Sequence, residues 1–394
     1  MTRIPLLVPV PGALAGELAR RVYFVSDAIT GFSLVRSGDK ITAVDVTTAA
    51  SSPPDAAELT RKLHVIIAND VLGQRPADPK VVWQSTAAEP ARDVFAELLS
   101  RRAVAESGDG QILVGEPVLS LMDHLDTALR TLVIDEFDAR EYRYPTLIPT
   151  RALRRTGYFE SFPQLLMFVT RLHGDVDNYR SFLDSVADGG DLPHALREHS
   201  GDFDHCLPPT MCFHTYHQFA DSRLPATSMV VTSRGKAFRH ESRYHRSLER
   251  LWDFTLREIV FLGPPDFVLG CRTRLMERTY ALMESLGLGG RCEVAGDPFF
   301  LNDSAAVRAW SQRLLELKYE LRLPLDAQRD VAVASFNHHE QHFGTSFGIH
   351  DDTDEAVFTG CAGFGLERLA YAFLCRHGLD PANWPAQMRP TATP

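Results

Sequence analysis

Two rhythms of apolar residues run along this chain. Between Pro117 and Phe137, Val118, Leu121, Leu125, Leu129 and Leu132 recur every three or four positions, the period of a helix with one buried face. The same period follows Pro53-Pro54-Asp55, where Leu59, Leu63, Ile66 and Ile67 come after a proline start and an acidic first turn. It predicts further helices over 91–102, 272–286, 305–321 and 365–377. Short runs rich in β-branched and aromatic residues predict strands over 22–26, 31–36 and 40–46, the last two joined by a Ser37-Gly38-Asp39 turn. Strands are also predicted over 228–233, 236–239, 258–262, 332–337 and 358–363. The stretch EYRYPTLIPT reads as extended chain closed by Pro145 and Pro149.

Short strands mixed with long helices suit an α+β fold, an antiparallel sheet flanked by helices, and not alternating βαβ units. The prolines between Pro76 and Pro90 read as a linker, and 106–110 as a flexible stretch. The expected organisation is a small N-terminal α+β domain with its linker over 1–105 and a catalytic domain over 106–394. No internal repeat is present.

Composition narrows the class. The 394 residues are 44% hydrophobic and 23% charged, ordinary for a globular enzyme. No run of 18 or more apolar residues exists, so no membrane partner is expected. The N-terminus lacks the continuous apolar core of a secretion signal, which places the chain in the cytoplasm. Six sparse cysteines with no CxxC pair do not make a disulfide framework. A net charge of −10 makes nucleic acid a poor partner, because such binding leans on Lys and Arg at phosphates. One local cationic run stands out: Arg234, Lys236, Arg239, Arg243, Arg246 and Arg250. It suits a small polyphosphate at least as well.

That run surrounds the candidate chemistry. Phe-Arg-His-Glu at 238–241 is followed by a polar loop and then Arg250-x-x-x-Phe254-x-x-x-Glu258. Later comes Gly363-Phe-Gly-Leu-Glu-Arg368, a glycine-tight strand end feeding an apolar-periodic helix. Arg239 offers a planar, two-pronged donor for an α-phosphate and a carboxylate. Glu241, two residues on, points to the same strand face. The second motif lacks the Gly-Lys-Ser/Thr of a P-loop. Among the cysteines, Cys361 lies just before the motif glycines, and Cys212 precedes the strand that leads into the first motif. With Glu258 these give three ligands and an open position, the pattern of a catalytic zinc site. Cys206 is the alternative to Cys212.

These motifs resemble motifs 2 and 3 of class II aminoacyl-tRNA synthetases, and the helix and extended segment over 117–150 resemble motif 1, which builds the dimer in that class. The resemblance implies a class II synthetase-like sheet over which ATP is bent. Glu241 would bind the adenine amino group or the substrate amine, and Phe254 would lie on the adenine. Arg368 would reach the γ-phosphate, and Arg250 completes the nucleotide site. Glu320 and Asn337 fall where seryl-type enzymes carry an acid and an asparagine near Mg2+ and the α-phosphate.

The blocks LPPTMCFHTYH, GKAFRHESRYHRSLERLWDFTLREIVFLG, VAGDPFF, SFNHHEQHFG and TGCAGFGLERLAYAFLCRHGLDP narrow this further. They resemble the amino acid:[carrier protein] ligases, relatives of the zinc-dependent seryl-tRNA synthetases of methanogens. The resemblance implies zinc on Cys212, Glu258 and Cys361, with the substrate amine in the open position. It implies activation of a small amino acid, glycine or alanine first, as the adenylate. The aminoacyl group would then pass to the phosphopantetheine thiol of a carrier protein, with no tRNA. Residues 1–110 encode no long helical hairpin and are nearly charge-balanced, unlike a tRNA-gripping arm. Segments 271–284 and 308–322 are candidate carrier-docking helices, and both also read as ordinary amphipathic helices. Two other readings share the motifs: a seryl-like tRNA synthetase, and a silent paralogue serving as a binding or regulatory protein. Intact Arg239, Glu241 and Arg368 argue against the second.

Overall fold

The computed structural model describes residues 1–49, 54–74, 80–85, 91–243, 246–296 and 312–389. Its centre is an eight-stranded sheet. In spatial order the strands are Val81–Gln84, Arg291–Val294, Lys318–Pro324, Asp330–His338, Phe358–Gly365, Asp253–Gly263, Met229–Phe238 and Arg140–Tyr142. Neighbours pair antiparallel except the last two, which run parallel.

Side chains alternate between the two faces of each strand. On Asp253–Gly263, Ile259 and Phe261 enter one core with Leu121, Leu125, Leu275 and Leu369. That core lies under the helices Val118–Phe137, Pro265–Ser285 and Leu366–His377. A buried charge on this face is paired as burial demands. Arg257, 1% exposed, donates to both oxygens of Asp126 at 2.7 and 2.8 Å and to Glu141 at 2.9 Å. This ties the long helix to the sheet. On the other face, Val260 and Cys361 enter a second core with Cys212, Tyr216 and Phe343. The short helices Cys212–Gln218 and His342–Phe347 cover it.

The N-terminal residues form a separate three-stranded sheet of Thr2–Pro11, Lys40–Thr48 and Ile29–Ser37, with Lys40–Thr48 in the middle. Helix Ala56–Ile66 packs on it, and Asp55 caps that helix by accepting from the Ala57 amide at 3.2 Å.

Several expectations change. The segment 22–26 is not a strand. Helix Ala15–Val22 runs into a 3-10 turn at Tyr23–Val25, because Leu14, Leu18 and Val22 share a helical stripe in the core. Thr2–Pro11 pairs despite its prolines because it is an edge strand, where a missing N–H costs no ladder bond. Val81–Gln84, within the expected linker, is an edge strand, and Trp83 stacks on Tyr280 with centroids 4.6 Å apart. Residues 106–110 belong to a hairpin of Val104–Gly108 and Gln111–Val114.

The strands expected over 228–233 and 236–239 are one, Met229–Phe238, running through Gly235. Of the helix expected over 305–321, residues 305–311 lie outside the described residues. Lys318–Pro324 is a strand with alternating burial, so the docking helix expected over 308–322 is not formed at its C-terminal end. Among the described residues no helix is long and apolar enough to cross a membrane.

Candidate active site

Strand register places the candidate residues. Across the sheet Ser233, Glu258, Gly363, Ser335, Glu320 and Glu293 stand directly opposite one another in turn. The neighbouring row is Val231, Val260, Cys361, Asn337 and Lys318. Residues paired across strands share a face. Glu258, Cys361, Asn337 and Glu320 therefore lie on one surface, and Phe254 joins them by alternation. Gly363 keeps that surface low: a Cβ there would lie 3.2 Å from Glu258 Oε2. Gly235 leaves space that the Met211 side chain fills, since a Cβ would meet Met211 Cε at 2.4 Å.

At the centre are Cys212, Glu258 and Cys361, with one ligand atom of each within 4.8 Å of the others. They are 4%, 2% and 4% exposed. Burial pushes the Glu258 carboxyl up to about 7, against the Cys361 contact, the Thr210 hydroxyl, the Arg239 charge and the Met211 amide. The Cys361 thiol is pushed up by its hydrogen bond with Cys212 and by burial. The Glu258 carboxyl and the Cys361 thiol, crowded out of water, resist ionising together, and a divalent cation would remove that cost. The donor set, two soft sulfurs and one oxygen, fits zinc. Cys206 is elsewhere, its sulfur against the Ile148 carbonyl at 3.6 Å.

The arginines gather beside this cluster. Arg239 donates from Nε to the Pro209 carbonyl at 3.0 Å, and its guanidinium lies 5.4 Å from the Phe254 ring centroid. Arg250 donates to Glu241 at 2.9 Å. Arg368, in the first turn of Leu366–His377, donates to the carbonyls of Glu249 at 2.6 Å and Ala332 at 3.0 Å. Burial, then the charges of Arg250 and Arg239, push its pKa down to about 10. Three guanidiniums near enough to repel one another make a receptor for a polyanion. Arg239 is shared, since its charge also reaches Glu258.

Asn337 donates to Ser335 at 3.2 Å and to Cys361 Sγ at 3.5 Å, so it stands at the sulfur cluster. Glu320 does not. It lies three strands from Glu258, roughly 14 Å at about 4.8 Å per strand. There it pairs with Arg322 at 3.0 Å and Lys318 at 3.3 Å.

Sequence reasoning missed several participants. Thr210 donates to Glu258 at 3.1 Å and touches Cys212 Sγ at 3.7 Å. His339 reaches Cys361 Sγ at 3.7 Å. The hairpin tip at Gly110 supports the loop before Phe254: the Trp252 amide donates to the Gly110 carbonyl at 2.8 Å, and Trp252 in turn accepts from the Arg239 amide at 2.9 Å. Proximity of Thr210 to Cys212, and of His339 to Asn337, was the available signal.

The amino acid–[acyl-carrier-protein] ligase 1 of Bradyrhizobium diazoefficiens is 38% identical over 250 residues, 63% of this chain and 74% of that protein. The type-2 serine–tRNA ligase of Methanococcus aeolicus is 31% identical over 291 residues, 71% of this chain and 55% of that protein. Among solved structures, the M. kandleri SerRS in complex with A. aeolicus tRNASec superposes with a TM-score of 0.68 at 22% identity, over 92% of this chain and 72% of that one. No family model matches the chain. The fold is that of the class II aminoacyl-tRNA synthetases.

Proposed function

From its membership of the amino acid–[acyl-carrier-protein] ligase family, which makes the chain a ligase, we propose that it activates glycine or alanine with ATP and loads it onto the phosphopantetheine thiol of a carrier protein. The observation that carries this reading is that Arg239, whose charge reaches Glu258 in the cluster of Cys212, Glu258 and Cys361, also stands near Arg368, beside Arg250.

In the first step a carboxylate oxygen of the amino acid attacks the α-phosphorus. The bond from that phosphorus to the bridging oxygen breaks, and pyrophosphate leaves. Arg239 spans carboxylate and α-phosphate, holding them in line and countering charge on the phosphoryl oxygens. Phe254, already under that guanidinium, supports the adenine. Arg368 takes the γ-phosphate, exchanging one carbonyl partner for a stronger anionic one. Glu241, oriented by Arg250, accepts from the adenine amino group or the substrate amine. Asn337 would help hold Mg2+, which would supply further positive charge against the phosphates. In the second step the carrier sulfur attacks the acyl carbonyl; the C–S bond forms and the C–O bond to AMP breaks.

Zinc on Cys212, Glu258 and Cys361 would supply a Lewis-acidic position for the neutral α-amino group. That position selects only the amine end, and the space beside it selects the side chain. From the resemblance to motif 1 we place a homodimer contact on the helix Val118–Phe137 and strand Arg140–Tyr142. Of the N-terminal domain expected over 1–105, the three-stranded sheet and its helix would form the unit apart, since Val81–Gln84 joins the central sheet and Leu98 its core.

The acceptor is tested with labelled glycine and alanine, ATP and two acceptors, a phosphopantetheinylated acyl carrier protein and total tRNA. Hydroxylamine-labile label on the carrier supports the proposal. Label on tRNA alone makes the protein a tRNA synthetase.

A further inference from the structure

We infer that His339 is a positioning residue for the metal centre, its Nε2–H holding the Cys361 thiolate in place and drawing off part of its charge. This rests on the reading of Cys212, Glu258 and Cys361 as a metal site.

The ring is fixed on every side. The His339 amide donates to the Thr359 carbonyl at 2.9 Å, anchoring the backbone to the strand that carries Cys361. The Phe343 ring meets the imidazole edge-on, with centroids 4.8 Å apart. Nδ1 faces two hydroxyls, those of Tyr216 and Thr359, each at 3.4 Å. Nε2 faces Cys361 Sγ at 3.7 Å.

The chemistry then selects one tautomer. A metal-bound thiolate has no proton to give, so the contact survives only if Nε2–H donates. Nδ1 is left as the acceptor, and the Tyr216 or Thr359 hydroxyl donates to it. The Asn337 amide donates to the same sulfur at 3.5 Å. Cys361 thus receives two N–H donors, and the single Thr210 hydroxyl proton goes to Glu258. A thiolate so bonded gives less charge to the metal, which then attracts an incoming amine more strongly.

The test reads metal binding, not catalysis. Metal-free protein is titrated with Co2+ while the thiolate-to-cobalt charge-transfer absorption is recorded, and Zn2+ affinity is measured against a chromophoric chelator. His339→Ala should weaken metal binding about 10- to 100-fold and shift the charge-transfer band. His339→Gln, which keeps an N–H donor, should recover most of both. Tyr216→Phe keeps the imidazole and should shift the band in the same direction by less, which retains the test if the alanine protein does not fold. Unchanged Zn2+ affinity and an unchanged band in folded His339→Ala overturn the inference. A parent protein that takes up neither metal overturns the metal reading itself, a result distinct from a parent that binds metal and a variant that binds it equally well.

Discussion

Glu258 and Gly363 face each other across neighbouring strands, and a Cβ on residue 363 would lie 3.2 Å from Glu258 Oε2. The glycine is there for the carboxylate. Its strand conformation needs no glycine, since its φ is not in the left-handed region. Gly363→Ala should therefore leave the fold intact, displace the carboxylate by a few tenths of an ångström and weaken metal binding about tenfold. Thermal melts beside metal analysis separate the two effects. A large loss of stability with full metal content would contradict this account.

Metal binding should depend on pH with a definite sign. Burial lifts the Glu258 carboxyl to about 7, and the Cys361 thiol also stands above its usual range. Both protons must leave before the groups can ligate. Affinity should then rise with pH and fall on acidification, by at least about tenfold from pH 8 to pH 6. A chelator competition at the two pH values checks it. Cys361→Ser should lose the metal at both.

Arg368 is held by two carbonyls, so its loss has both a structural and a chemical cost. Removing it leaves the Glu249 and Ala332 acceptors without this donor, at about 1–3 kcal/mol. The chemical loss is larger: pyrophosphate exchange in Arg368→Ala should fall at least about 100-fold. Arg368→Lys should restore little, because an ammonium lacks the fork that spans two acceptors. Denaturant unfolding and exchange rates measured together resolve the two parts.

The Asp126–Arg257 pair is a structural counterpart on the opposite face. Both residues are buried, 5% and 1% exposed, and joined by two bonds. Asp126→Ala would remove two of the guanidinium's bonds while leaving the one to Glu141, and should cost about 1–3 kcal/mol, whereas Asp126→Leu with Arg257→Met should cost less. Equal losses in the single and double variants would contradict it.

What the sequence reveals about this molecule follows from where the information is local. Arg239, Phe254, Glu258 and Arg368 lie in compact motifs, and strand alternation from Glu258 already sets which side chains share its face. Cys212 and Cys361 are far apart in sequence, and only the fold brings their sulfurs together. Lys318–Pro324 misleads because Leu, Lys, Glu and Arg are good helix formers, yet Tyr319, Leu321 and Leu323 alternate into the core. Pairing with Asp330–His338 overrides propensity there. His339 and Thr210 were hidden for another reason: each acts through a ligand, and no spacing rule marks such residues.

The most direct test of the central claim is amino-acid-dependent ATP–pyrophosphate exchange on zinc-replete protein, across all twenty amino acids, without tRNA or carrier. Exchange with glycine or alanine, and none with serine, is the predicted result. Exchange with no amino acid would contradict the assignment of Arg239, Arg368 and the Cys212–Glu258–Cys361 cluster to adenylate formation.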